Sequence, residues 1–171
     1  MLARLLCLLC LLFLSSLSLS QVKQEVPTVP ETCPVTKPAD RPLVPPASHP
    51  AKPGRGYYWF GTDSLWTSLP VNGTWSGLPH YAPDDPTFRQ KLLFWRRGYD
   101  PRTEPRPNLT VSGKRIDAPA GPLLTDGKGS GGSTKDDQFI VTGINFPTTG
   151  CWEITGRYEN DELTFVIWVS P

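Results

Sequence analysis

The chain has 171 residues, with 17 Lys and Arg against 16 Asp and Glu, and its formal net charge is +1. A protein that binds nucleic acid normally shows a basic excess or a basic stripe, so this balance argues against a nucleic-acid partner. The length suits one domain of ordinary size with a shorter segment beside it.

Residues 1–20 have the pattern of a secretory signal peptide. One positive charge, Arg4, precedes an apolar run over residues 5–14, and small residues follow as far as Ser20. The run is shorter than the roughly 20 apolar residues of a membrane span. We therefore expect cleavage between Ser20 and Gln21 and a secreted or periplasmic mature protein without a transmembrane span. Anchoring to the cell envelope is the alternative.

Removal of residues 1–20 leaves two cysteines, Cys33 and Cys151. An even number of cysteines in an exported chain favours oxidation, so we predict one disulfide between them. Closing so long a loop is worth roughly 4–5 kcal/mol on the chain-entropy model. Two free, buried thiols are the alternative.

Residues 21–55 form a proline-rich arm that contains nine prolines. Proline fixes φ and donates no backbone hydrogen bond, which excludes a helix or a central strand. The arm is therefore expected to be extended and stiff. Because the arm contains Cys33, the disulfide should clip it to the rest of the chain near Cys151.

Residues 56–171 are predicted to form one all-β domain, an antiparallel β-sandwich. Short apolar runs alternate with turn signals, and no window shows the apolar spacing of a helix. Ser112 and Gly113 indicate a hairpin turn, and the glycine-rich residues 127–137 indicate a flexible connector. The predicted strands cover residues 57–59, 64–69, 91–95, 108–111, 114–116, 139–144, 151–158 and 163–169.

Alternation along the last two strands assigns their faces. Leu163, Phe165, Ile167 and Val169 share one face. In the preceding strand Trp152 and Ile154 point inward, so Cys151 lies on the polar side. The disulfide should therefore join the arm to the outer surface, unlike the buried inter-sheet disulfide of an antibody domain.

Three segments carry a resemblance to known proteins: GTDSLW (residues 61–66), LP (69–70) and FPTTGCWEITGR (146–157). They resemble a group of uncharacterised exported bacterial proteins, over the body of the chain and Cys33 with Pro34. The resemblance implies export and an immunoglobulin-like sandwich. It transfers no functional residue, because the group has no assigned activity.

No catalytic motif is recognisable, and we expect neither an enzyme nor a cofactor. The segment GTWSG (residues 73–77) places its serine one position too late for a hydrolase elbow. Lys128 is followed by Gly129, whereas a phosphate-binding loop continues with Ser or Thr after its lysine.

Metal ligands are scarce, so we expect no metal site. The mature chain has two histidines, His49 and His80, whereas a structural zinc site needs four Cys or His ligands and a catalytic one about three. The best candidates for calcium are Asp136 and Asp137, because their loop is expected to be flexible. Solvated turn charges are the alternative explanation for these residues.

The six tryptophans are the most unusual feature of the composition. Trp75 lies between two glycines and is predicted to be in an exposed loop. Together with Tyr57, Tyr58 and Tyr81 it could form a patch that stacks on a sugar or anchors a protein. Packing of these aromatic side chains in the core is the alternative.

Three functions are therefore compatible with the sequence. The first is a monomeric, non-enzymatic exported domain that binds a protein or glycan partner or supports the envelope. The second is a carbohydrate-binding module that uses exposed aromatics, and an exposed row of Trp and Tyr would favour it. The third is an enzyme with an unrecognised site, for which a pocket combining His80 with Asp84 or Asp85 would be the sign. Asn72 and Asn108 match glycosylation acceptors, which matters only in a eukaryotic host.

Overall fold

The computed structural model describes residues 28–46, 52–80 and 82–170. The expected signal peptide, His49 and Tyr81 lie outside these ranges. All regular structure in the described residues is β-strand. No helix among them is long and apolar enough to cross a membrane.

Ten strands follow one another along the described chain. They are β1 (Tyr57–Gly61), β2 (Leu65–Pro70), β3 (Thr74–Ser76), β4 (Phe88–Arg96), β5 (Thr110–Arg115), β6 (Leu124–Thr125), β7 (Ser130–Ser133), β8 (Gln138–Phe146), β9 (Gly150–Tyr158) and β10 (Asp161–Ser170).

The strands form two sheets. Sheet A has the order β1-β2-β4-β8-β6, and β7 also pairs with β8; sheet B has the order β3-β10-β9-β5. The pairings are antiparallel except for β3 with β10, which is parallel. The predicted all-β, antiparallel-rich sandwich is confirmed, and the immunoglobulin-like assignment stays a prediction.

The core lies between the sheets, where the alternation of each strand directs its apolar residues. Leu163, Phe165, Ile167 and Val169 belong to this core, as their alternation predicts. They are joined by Trp152 and Ile154 from β9 and by side chains from sheet A, including Leu92, Phe94, Ile140 and Ile144. The predicted faces of β9 and β10 are therefore confirmed.

The predicted hairpin turn at Ser112 and Gly113 is wrong. Both residues lie within β5, which pairs continuously with β9. A Cβ at Gly113 would lie 3.0 Å from the Glu153 carbonyl oxygen and 3.0 Å from Leu123 Cδ2. Glycine at this position thus permits a close approach inside the sheet rather than a reversal of the chain.

The glycine-rich segment 127–137 is only partly a connector, because β7 lies within it and pairs with β8. A Cβ at Gly131 would lie 2.5 Å from the Tyr99 hydroxyl oxygen. Because its two glycines have no side chains, β7 can approach the neighbouring residues closely. The composition of the segment does not by itself reveal this packing.

The disulfide between Cys33 and Cys151 is present, with the two Cα atoms 5.6 Å apart, and the prediction is confirmed. From Cys33 the arm continues alongside β10, where Thr36 hydrogen-bonds to the Val166 backbone. It then reaches the outer face of sheet A, where Leu43 packs against buried tryptophans. We call residues 33–43 the strap, because they lead from the disulfide on β9 of sheet B, past β10, to the outside of sheet A.

Three tryptophans form a second apolar cluster outside the main core: Trp59, Trp66 and Trp95. The rings of Trp59 and Trp95 meet edge to face, with centroids 4.8 Å apart. The Trp95 indole N–H donates to both carboxylate oxygens of Asp137, at 3.0 and 2.9 Å. These tryptophans stabilise the strapped face of sheet A and do not form an exposed aromatic row.

A polar cluster fixes the long connection between β4 and β5. The Tyr158 hydroxyl donates to the Glu104 carboxylate, and Arg96 Nη2 lies 3.2 Å from the same carboxylate. The Arg96 guanidinium also lies 4.5 Å above the Tyr158 ring. The Tyr99 hydroxyl donates to the Glu104 carbonyl oxygen at 3.0 Å, which closes the cluster.

Candidate functional site

An opening in sheet A arises where β2 separates from β4. The two strands pair at three positions, the last of which joins Thr67 to Phe94. Next to it, the Thr67 hydroxyl donates to the Leu93 carbonyl oxygen at 2.7 Å. The chain then turns towards sheet B, and Gly73 N–H donates to the Pro70 carbonyl oxygen at 2.9 Å. Pro70 is the last residue of β2 and is still paired with Tyr57 of β1, so β2 leaves β4 while it remains paired with β1.

The opening is a cavity of about 250 Å³, which we call the slot. It extends from the outer face of sheet A to an aromatic side chain of sheet B. The residues that line it are Gly54, Tyr57, Ser68, Trp75, Gln90, Lys91, Leu92 and Leu93.

Trp75 is not the exposed loop residue that the sequence predicts, and this prediction is wrong. Trp75 lies in β3, directly opposite Val169 of β10, and is 4% exposed. Its ring packs against Phe146 and Phe165, with centroid distances of 6.0 and 6.2 Å. The flanking glycines end the turns around a very short strand, so they do not indicate a loop.

Trp75 nevertheless reaches the slot from the opposite sheet. Its indole N–H is a buried donor without an acceptor within the part of the chain that the structure describes. Buried polar groups are nearly always hydrogen-bonded, and each exception calls for an explanation. This N–H has almost no accessible surface, so the ring of Trp75 rather than its N–H borders the slot.

The three tyrosines predicted to accompany Trp75 do not stay together. Tyr57 is 40% exposed and lines the slot. Tyr58 points to the other face of β1, where its hydroxyl donates to the Thr36 carbonyl oxygen at 2.9 Å. Burial raises the pKa of Tyr58 to about 12. Tyr81 lies outside the described residues, so the predicted patch reduces to Tyr57 and Trp75.

The polar groups of the slot are neutral apart from one cation. Ser68 and Gln90 contribute a hydroxyl and an amide, and Lys91 is exposed at the outer end. The Gln90 side-chain oxygen accepts the Lys91 backbone N–H at 3.0 Å. The amide nitrogen of Gln90 therefore remains as a donor for other groups.

Lys91 also lines a second, slightly smaller cavity of about 220 Å³ on the outer face of sheet A. We call this cavity the basic groove, because Arg89, Lys91 and Lys128 outnumber its one acid, Asp126. Arg89 forms an ion pair with Asp126. Lys91 and Lys128 have no ion pair among the described residues, so the groove carries surplus positive charge next to the slot.

The candidate calcium ligands Asp136 and Asp137 line a polar cleft of about 490 Å³. Asp137 accepts the Trp95 indole N–H. Nearby, hydrogen bonds from Arg102 lower the pKa of Asp100. Within the described ranges, no group of three or more His, Cys, Asp or Glu residues could hold a metal ion. Calcium binding by these aspartates gains no support from this arrangement.

His80 and Asp85 both hydrogen-bond to Thr87 in one local turn. His80 Nδ1 lies 3.0 Å from the Thr87 carbonyl oxygen, and its ring stacks on Phe88. Asp85 accepts the Thr87 backbone N–H at 2.8 Å, and hydrogen bonding to Thr87 lowers its pKa. Neither these residues nor Asp84 lines the slot, the basic groove or the polar cleft.

Comparisons of the chain with protein-family models, with curated proteins and with solved structures give no match. The resemblance to exported bacterial proteins therefore stays a prediction, and the candidate site depends on geometry. Ser68, Gln90 and Lys91 were not foreseen from the sequence. They lie in ordinary strand patterns, and no local signal shows that β2 separates from β4 beside them.

Proposed function

We propose that this protein is an exported, non-enzymatic domain that binds its partner through the slot. The observation that carries the proposal is the meeting of Tyr57 and Trp75, from opposite sheets, in one cavity. A concave site with an aromatic floor and a few convergent polar groups is typical of ligand binding.

The chemistry of the slot favours binding over catalysis. Among the described residues, its lining contains no carboxylate, imidazole or thiol, the side chains that most often serve as general acids, bases or nucleophiles. A nucleophilic serine needs a base within hydrogen-bond reach. Ser68 makes no side-chain hydrogen bond to Lys91 among the described residues.

The disulfide supports export. Bonds such as that between Cys33 and Cys151 form and persist in oxidising compartments. We propose a secreted or periplasmic monomer whose signal peptide is removed between Ser20 and Gln21, with anchoring to the envelope as the alternative. We also propose that the sandwich is immunoglobulin-like. We propose, in addition, that the chain belongs to the group of exported bacterial proteins that it resembles.

A carbohydrate-binding module is the second candidate, and the exposed Tyr57 ring at the mouth of the slot favours it. Sugar binding by a flat row of tryptophans is not favoured, because Trp59, Trp66 and Trp95 are all buried. A glycan would have to enter the slot instead.

Export is tested by expressing the full chain and isolating the protein from outside the cytoplasm. Mass spectrometry should find Gln21 at the N-terminus, and thiol titration should detect free thiols only after reduction. Two titratable thiols in the non-reduced protein, or retention in the cytosol, would contradict the proposal.

Binding is tested by nuclear magnetic resonance on the isotope-labelled mature protein, with panels of glycans and peptides. A ligand should shift the backbone amide signals of Ser68 and Leu92 and leave that of Thr155, on the outer face of sheet B, unchanged. The variant Tyr57→Ala should weaken these shifts, whereas the matched control Thr155→Ala should not. Shifts confined to the outer face of sheet B would contradict a site in the slot.

A further inference from the structure

The size of the slot limits what can enter it. Its volume of about 250 Å³ falls below the roughly 300–1,000 Å³ of sites for drug-sized ligands. Paired strands bound it on both sides, β1 with β2 and β4 with β8, and Trp75 closes its inner end. A single ring can therefore enter end-on, whereas a chain laid across the sheet cannot.

An extended peptide fits this opening poorly. A peptide that adds a strand to a sheet needs a long free edge for main-chain hydrogen bonds. The gap in sheet A extends only from Thr67 to Pro70 along β2, and the Leu93 carbonyl oxygen on the facing strand already accepts the Thr67 hydroxyl. Too few main-chain groups remain to hold a peptide strand.

The lining of the slot matches a sugar ring. A sugar ring offers an apolar C–H face and a set of hydroxyl groups. The Tyr57 ring is available at the mouth for packing on the apolar face. Ser68 and Gln90 supply a hydroxyl and an amide that can hydrogen-bond to the sugar hydroxyl groups.

The basic groove favours a ligand that carries a negative charge. Lys91 lines both the slot and the groove, so a ligand in the slot can extend its substituents towards Lys91 and Lys128. Among the described residues that line the groove, the one acid, Asp126, is already paired with Arg89. An anionic substituent would therefore meet positive charge that is not neutralised within the groove.

On the basis of the proposed binding function, we infer that the slot binds the terminal ring of an anionic glycan. The ring stacks on Tyr57 and hydrogen-bonds inside the slot, while its carboxylate, sulfate or phosphate group pairs with Lys91. The protein would thus recognise the end of a glycan, held in the slot, rather than a stretch along the glycan chain.

The test compares two oligosaccharides that differ only in the terminal ring, one ending in glucuronic acid and the other in glucose. Calorimetry on the mature protein should give about ten-fold tighter binding of the glucuronate ligand, which corresponds to one charge-assisted hydrogen bond. Added salt should weaken the glucuronate complex more than the glucose complex.

Three variants separate the contributions. Lys91→Gln should remove the preference for glucuronate by weakening the glucuronate complex more than the glucose complex. Tyr57→Ala should weaken both ligands, and Tyr57→Phe should retain them because the ring is kept. Lys114→Gln, on the outer face of sheet B, is the matched control and should preserve the preference. Circular dichroism should confirm that each variant is folded.

The outcomes distinguish this inference from the proposed function. Equal binding of both sugars, or an unchanged preference in Lys91→Gln, would overturn the inference that the ligand is anionic. If peptides bind at Ser68 and Leu92 and sugars do not bind, the inference of a sugar ligand is wrong. The proposal that the slot is the binding site would still hold. A slot that responds to neither class in these titrations would contradict both proposals.

Discussion

Thr36 and Val166 exchange two hydrogen bonds across 130 residues of sequence. The Thr36 backbone N–H donates to the Val166 carbonyl oxygen at 2.9 Å, and the Val166 N–H donates to Thr36 Oγ1 at 2.8 Å. The strap thus satisfies backbone groups of β10 that lie beyond the short parallel pairing with β3. A proline-rich segment can do this because the side-chain hydroxyl supplies one of the two bonds.

Replacing Thr36 by valine should destabilise the protein by about 1 kcal/mol, because the Val166 N–H loses its acceptor while the side-chain volume is kept. Urea unfolding measures this change, and amide hydrogen exchange at Val166 should become faster. Thr36→Ser keeps the hydroxyl and should restore most of the stability. Equal losses for valine and serine would contradict the role of the hydroxyl.

Removing the disulfide should have a larger effect. The double variant Cys33→Ser with Cys151→Ser should lower the free energy of unfolding by about 2–5 kcal/mol, because the unfolded chain gains the freedom that the bridge removes. Urea unfolding with and without reductant measures the loss. Reductant should destabilise the wild type and have no effect on the double variant. A double variant as stable as the oxidised wild type would contradict a stabilising strap.

The substitution Gly156→Ala should overpack the core. A Cβ at Gly156 would lie 2.6 Å from Phe94 Cε1, inside the main cluster. The ring must move, and we expect a loss of about 1–3 kcal/mol in thermal or urea unfolding. Gly121→Ala is the matched control, since its Cβ would make an ordinary contact at 3.9 Å with Pro147. If Gly156→Ala leaves the stability unchanged, Phe94 has room to shift.

Stability should fall at alkaline pH because of buried tyrosines. Burial, and then the hydrogen bond to Glu104, raise the pKa of Tyr158 from 10.0 to about 12. Because the folded-state pKa is the higher one, the contribution is complete below pH 10 and is lost as the pH rises through about 12. Tyr58, with its pKa also raised to about 12, acts in the same direction.

Urea unfolding measured from neutral pH to pH 12 checks this dependence. The variant Tyr158→Phe should lose less stability over the alkaline part of this range, and Tyr158→Phe with Tyr58→Phe should lose less still. Ultraviolet absorbance of tyrosinate should show the delayed ionisation in the folded wild type. Identical alkaline slopes for wild type and double variant would show that other groups cause the loss.

The sequence by itself determined the features that depend on local or compositional rules. Only two cysteines remain after the expected signal peptide, which left a single possible disulfide. Alternation along β9 and β10 assigned Trp152 and Phe165 to the core and Cys151 to the outer surface, because successive strand side chains must point to opposite faces.

Only the tertiary structure decided the burial of Trp75, the continuity of β5 through Gly113 and the existence of the slot. Each depends on which distant strand lies alongside: β10 pairs with β3 at Trp75, β9 pairs with β5 at Gly113, and β2 leaves β4 after Thr67. Pairing between distant strands is a long-range choice, set by packing and by where the chain crosses between sheets. A window of neighbouring residues contains the alternation of a strand but not the identity of its partner.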